Sequence, residues 1–372
     1  DEKQSKSELI KIGKDWDIKM HGLQTRLFDK HGLASKSATK KFVQQIQNIN
    51  PDIIHLHNIH GYYLNIEILF RFLKRANIPV VWTFHDCWPF TGHCTYFDRV
   101  ECYKWKTECS NCPQKREYPA SLFLDRSKKN FYLKKELFTA VNNITLVPVS
   151  SWLADLIKAS FFKNISIKTI HNGVDTSVFQ PADQTNFRRK YKIGNKFILL
   201  GVANVWKNRK GLGDFIKLSQ LIDENFQIVL IGLSNKQLRD IPMNIIGLSR
   251  TESVDELAEI YNAADIYINP SYEDNFPTTN LESISCGTPV ITYKTGGSPE
   301  AIEENTGIVV EKGNIDELLK SIIFIFEKGG NKYKEACRER AVKRFNKEDR
   351  YLDYLRLYDK ILTHQKNALK NK

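Results

Sequence analysis

The stretch "NPSYEDNFPTTNLESISCGTPVITYKTGGSPEAI" (269–302) decides the fold. It opens at the end of the apolar run "DIYINPS" (265–271), which reads as a buried parallel strand. An acidic loop with Glu273 and Asp274 follows. A helix is predicted to start near Pro277–Thr279, with Glu282 in its first turns, and "TPVITYK" (288–294) reads as the next strand. Strand, helix, strand is a βαβ unit, and its sheet is parallel. Ligands of such sheets bind beyond the carboxyl ends of the strands, where helix N-termini offer free N–H groups to phosphate. Carboxylates beside a phosphate site are better suited to sugar hydroxyls. An ordinary N-capped helix with acidic first-turn residues would show the same spacing.

The pattern repeats on both sides of this stretch. Upstream lie "FILLGVA" (197–203) and "QIVLIG" (227–232), and Leu257, Ile260, Tyr261 and Ala264 mark a helix face. Further upstream, "DIIHLHN" (52–58), "VVWTFHD" (80–86), "ITLVPVS" (144–150) and "SIKTIHN" (166–172) form an earlier series of strands. Phe42, Val43 and Ile46 mark a helix before its first strand, and Ile66, Leu69, Phe70 and Leu73 one between its first two. Two series imply two doubly wound α/β domains, divided within the polar segment "NGVDTSVFQPADQTNF" (172–187). The expected division is 1–178, 183–345, and a C-terminal helix with a basic tail over 346–372.

Length and composition agree. At roughly 100–200 residues per domain, 372 residues suit two domains. With 26% charged and 11% aromatic residues the chain is not disordered throughout, and no apolar run approaches the roughly 20 residues that span a bilayer. The net charge is +12, and residues 1–182 hold 26 Lys/Arg against 17 Asp/Glu. A field of that sign attracts phosphates, anionic lipid or nucleic acid without telling them apart. With Lys128, Lys129, Lys134 and Lys135 expected at the surface, it suggests peripheral attachment to anionic lipid, with plain solubility the competing reading.

Asp274 and Glu282 are separated by seven residues, followed by "CGTPVI" (286–291) and "GGSPE" (296–300). This resembles the E-x7-E region of the family-4 retaining glycosyltransferases, which have the GT-B fold of two Rossmann-like domains facing a cleft. "NGVDTSVFQP" (172–181), "NRKGLGDFIKL" (208–218) and "LAEIYNAADIYINPS" (257–271) resemble further family segments, in the right order. The resemblance implies a transferase that moves a sugar from a UDP- or GDP-sugar to a hydroxyl of a growing glycan or lipid-linked oligosaccharide, in capsule-type cell-surface polysaccharide biosynthesis. Glu282 would bind the ribose hydroxyls. Asp274 would contact the donor sugar, with Glu273 able to share that role, and Lys210 would hold the diphosphate. The family's Arg falls at Val205, so Lys207 or Arg209 would supply the second positive charge. Asn275, Phe276, Thr278 and Thr279 complete the expected donor side. His85, at the end of "VVWTFHD", matches a His that faces the donor sugar, and His55, His57 and His60 could line the acceptor side. No Asp-x-Asp segment lies in the donor half, so no catalytic metal is expected, and no nucleic-acid partner. The implied location is the cytoplasm or the inner face of the membrane.

Cys94, Cys102, Cys109 and Cys112 have the spacing C-x7-C-x6-C-x2-C, within residues 87–115. Four thiolates with a C-x-x-C knuckle suit a closed, structural zinc site. His93 could replace one ligand, and ordinary free thiols are the alternative. Cys87, Cys286 and Cys337 read as buried and inert.

Two rivals stay open: a nucleotide-sugar epimerase, and a binding protein that keeps the fold without turnover. The family normally begins with a strand and a Gly-rich loop, which residues 1–35 do not show. The expectation is therefore an N-terminally shortened form that transfers sugar poorly.

Overall fold

The computed structural model describes residues 7–183 and 185–370. Residues 1–6, part of the stretch read as lacking an opening strand, lie outside the described residues, as do the last two residues of the basic tail. The chain forms two compact units. One comprises Asp1–Val149, Leu153–Thr169 and Leu357–Lys372; the other comprises Ser150–Trp152 and Ile170–Arg356. The final helix, Lys347–Lys370, therefore contributes to both. Within the first unit it is tied down by Tyr358, whose hydroxyl lies 2.5 Å from His55 Nδ1.

The first unit contains β1 (Ile54–Leu56), β2 (Val80–Phe84), β3 (Ile144–Pro148) and β4 (Ser166–Ile167). All pair in parallel, in the order β1-β2-β3-β4. β2 is buried along its whole length, as an apolar run covered on both faces should be. Trp82 packs against Phe138 at 4.9 Å between ring centroids, and Phe70 meets Phe138 at 4.4 Å. Phe70 is presented by the helix Ile66–Ala76, whose first turn is capped by Asn65 Oδ1 accepting from Ile68 N at 3.0 Å. Burying each such ring contributes about 1.5–3 kcal/mol.

The second unit contains β5 (Phe197–Val202), β6 (Phe226–Ile231), β7 (Ile245–Leu248), β8 (Ile266–Asn269), β9 (Val290–Tyr293) and β10 (Gly307–Val310). Its parallel sheet runs β10-β9-β8-β5-β6-β7. Strand order reverses between β5 and β8, which pair directly, and this reversal makes the sheet doubly wound. The described strands of the first sheet follow chain order, with no reversal among the described residues. Among the described residues, no helix is long and apolar enough to cross a membrane.

Candidate functional site

The reversal between β5 and β8 fixes where a ligand can sit in the second unit. The chain leaves β5 through a loop and a single 3-10 turn, Asn208–Lys210, before the helix Leu212–Leu218. Gly211 makes this possible. Its φ is +77°, and a Cβ there would come 2.2 Å from Pro270 O, just past the end of β8. The basic turn therefore lies directly on the loop after β8. Tyr272 N donates to Arg209 O at 2.8 Å, and Arg209 Nη1 donates to Glu273 O at 3.1 Å. Lys210 Nζ sits 2.5 Å from Asp274 Oδ2, with both side chains largely buried. The Glu273 side chain is buried, whereas Lys207 and Val205 are exposed.

The helix after this loop runs Thr278–Ser285, with Pro277 before it. Asn280 N donates to Pro277 O at 3.2 Å, and the N–H groups of Thr278 and Thr279 have no intrahelical carbonyl to face. Glu282 Oε2 accepts from the Tyr261 hydroxyl at 3.0 Å. Burial pushes the Glu282 carboxyl above its usual range, while hydrogen bonds from Tyr261 and Thr278 oppose the rise. Thr279 hydrogen-bonds the buried Tyr267. Asn275 is buried, and its N–H donates to Asp274 Oδ1 at 3.0 Å. Phe276 turns into the unit and stacks on His171 at 4.8 Å, and its carbonyl accepts from Asn172 Nδ2 at 3.1 Å.

Sequence reasoning missed two hydroxyls. Thr295 and Ser298 are buried, and neither Oγ1 of the first nor Oγ of the second has a hydrogen-bond partner. They flank Gly296, which at φ +54° would place a Cβ 1.7 Å from Asp274 O. This loop after β9 is thus pressed against the acidic loop. The available signal was the Gly–Gly pair following a strand, which marks close backbone approach. Glu300 is also placed by the structure: its carboxylate accepts from Ser151 N and Trp152 N, both at 2.8 Å, and lies 3.1 Å from His171 Nε2.

In the first unit, His85 follows the last residue of β2. Its Nε2 lies 3.0 Å from His57 Nδ1, with the rings stacked at 5.3 Å. His55 Nε2 meets Thr83 Oγ1 at 2.7 Å, and His60 Nε2 pairs with Asp86 Oδ2 at 2.8 Å. Burial, followed by the neighbouring His57, lowers the His85 pKa to about 4. Burial takes His55 to about 3 and His21 to about 4. These imidazoles are neutral near pH 7. In the unfolded chain they titrate near 6.5, so below about pH 6.5 the unfolded chain binds protons the folded one refuses. Stability is complete above that pH and is lost as pH falls toward 4. The free energy of unfolding in urea should fall by at least about 2 kcal/mol between pH 7 and pH 5. An unchanged value across that interval would show that the histidines are not held neutral by the fold.

The four cysteines Cys94, Cys102, Cys109 and Cys112 line one small cavity in the first unit. Cys87, Cys286 and Cys337 are buried. One surface expectation is corrected. Lys128, Lys129 and Lys135 are exposed, but Lys134 is 2% exposed. Its Nζ donates to Trp88 O at 2.8 Å and Thr91 O at 3.1 Å and lies 3.5 Å from the Trp88 ring centroid. The cause is its place on the inner face of the helix Ser127–Thr139, beside the buried Asn130, Phe131, Leu137 and Phe138.

Residues 183–344 match the family model "Glycosyl transferases group 1", and residues 15–178 match "Glycosyltransferase Family 4". The chain is 25% identical over 286 residues to a putative colanic acid biosynthesis glycosyl transferase, WcaC, of Escherichia coli K12, covering 73% of this chain and 66% of that protein. Among solved structures, sucrose-phosphate synthase from Thermosynechococcus elongatus is similar with a TM-score of 0.67 and 19% identity, over 88% of this chain and 79% of that one. Anabaena HepE in complex with UDP is similar with a TM-score of 0.60 and 17% identity, over 90% and 82%. At these identities the structures speak for the fold, two parallel-sheet α/β domains of the GT-B type.

Proposed function

Since the chain belongs to the family-4, group-1 glycosyltransferases, we propose that it moves a sugar from a nucleoside diphosphate donor to a hydroxyl of a growing glycan or lipid-linked oligosaccharide, with retention at the anomeric carbon. One observation carries the donor half of this reading. Lys210, from the turn after β5, and Asp274 and Glu282, from the loop and helix after β8, lie beyond the carboxyl ends of these two neighbouring strands. That is where a doubly wound sheet takes a nucleotide.

Lys210, with Arg209 beside it, would hold the diphosphate and offset charge that develops as the leaving group departs. The free N–H groups at Thr278 and Thr279 would add to that stabilisation. Glu282, already accepting from Tyr261, would accept from the ribose hydroxyls. Asp274 starts out bound to Lys210, so it orients the ammonium before the donor arrives. The unpartnered hydroxyls of Thr295 and Ser298 are suited to the sugar or phosphate oxygens. A UDP complex of one structural relative and the polysaccharide role in the name of a sequence relative support the choice of donor and pathway class. In the first unit, His85 is neutral and paired with His57.

The test is to incubate the chain with UDP- and GDP-sugars, with and without a glycan acceptor, and follow free nucleotide and the anomeric configuration of the product by NMR. Acceptor-dependent nucleotide release with retained configuration supports the reading. Release into water alone would favour the epimerase, and inversion would remove the retaining mechanism.

A further inference from the structure

The segment from Thr91 to Arg126 has little regular structure beyond the 3-10 turns Asp98–Val100 and Lys104–Lys106. Its interior is nonetheless organised round one point. Cys94, Cys102, Cys109 and Cys112 line a single cavity of about 10 Å3, together with His93 and Trp105. That volume suits one small sphere and no organic molecule. The Cys94 and Cys112 thiols hydrogen-bond each other.

Two polar atoms of the lining are unaccounted for. The His93 side chain is fully buried, and its Nδ1 lies 2.7 Å from Asp29 Oδ1, whose carboxylate also accepts from Arg126 N at 2.7 Å. The opposite ring nitrogen, Nε2, has no partner, nor has the buried Trp105 Nε1. A buried polar atom without a partner costs about 1–3 kcal/mol. The Asp29 carboxylate thus fixes the ring of a histidine that lines the same cavity as the four sulfurs.

We propose that Cys94, Cys102, Cys109 and Cys112 bind one structural Zn2+ as thiolates, with His93 and Trp105 as supporting contacts to the sulfurs. Binding releases four protons from the thiols, oxidises nothing, and leaves the cluster with two negative charges. Lys134, buried within electrostatic reach of Cys94 and Cys109, partly offsets that charge. Among the described residues no three donors already stand as a finished ligand set. The metal therefore has to draw the four sulfurs that line the cavity closer together, and this closure locks the segment that follows His85. All four ligand positions are filled by protein, so the site is structural rather than catalytic.

The test uses the full chain, expressed with zinc and purified without chelator. Elemental analysis should find about one zinc per chain, and the Cys109→Ser, Cys112→Ser double variant should retain less than about a tenth of that. Three readouts need no variant. A mercurial should release zinc in step with titration of four thiols, and cobalt exchanged into the site should give the absorption of a tetrahedral thiolate complex. Trypsin cleavage at Lys104, Lys106 and Lys115 should be slower with metal than after chelation. His93→Ala should keep full zinc stoichiometry; loss equal to that of the cysteine variant would overturn the all-thiolate ligand set. Zinc-free protein with four titratable thiols, or a Cys94–Cys112 disulfide in place of metal, would overturn the proposal.

Discussion

Lys210→Ala should lower kcat/KM for the nucleotide-sugar donor by about 100-fold or more, while the chain stays folded. The ammonium is held in place by Asp274 at the junction of the β5 and β8 loops. Removing a preorganised group that stabilises developing charge costs about 2.7–4 kcal/mol. Part of that loss should appear in donor affinity, because the ground-state diphosphate is already anionic. Lys210→Arg should recover part of the activity, since it keeps the charge and alters its geometry. Lys207→Ala is the control: Lys207 is exposed, and its loss should matter little. Equal kinetics for Lys210→Ala and the parent chain would remove Lys210 from the donor site.

The second large effect is expected at Glu282. Glu282→Ala should weaken nucleotide-sugar binding by roughly 10–100-fold, because a hydrogen bond to a charged acceptor contributes about 1.5–3 kcal/mol. The Tyr261 hydroxyl loses its partner in the same variant, so a fall in thermal stability will accompany the loss of affinity. Glu282→Gln separates the two. It keeps an acceptor for Tyr261 and lacks the charge, so it should restore stability while leaving donor binding weak. Calorimetry giving parental affinity for both variants would contradict the ribose assignment.

How far these residues could be read in advance depends on sequence distance. The strands β2, β5 and β8 were legible because each is a fully or nearly fully buried apolar run, and the βαβ order follows from them. β7 and β10 escaped because each has only four residues, several of them half-buried, and so gives little periodic signal. Asp274 and Glu282 could be picked out together because they share one loop and helix. The ion pair joining Asp274 to Lys210 could not, since it spans 64 residues and exists only once β5 and β8 pair. His57 and His85 likewise meet across 28 residues because β1 and β2 are neighbours. Lys134 was misread although a signal was present. It lies four residues after Asn130 and three before Leu137, on the buried stripe of its helix, but a Lys–Lys pair reads as solvated surface.

The most direct measurement is calorimetric titration of the 372-residue chain with a panel of UDP- and GDP-sugars, alongside Lys210→Ala. The account expects one donor to bind the parent chain with a Kd in the range of about 1 μM to 1 mM usual for enzyme substrates. It expects the Lys210 variant to show little or no heat. A folded parent chain that binds no nucleotide sugar, or a Lys210→Ala variant that binds as tightly as the parent, would contradict it.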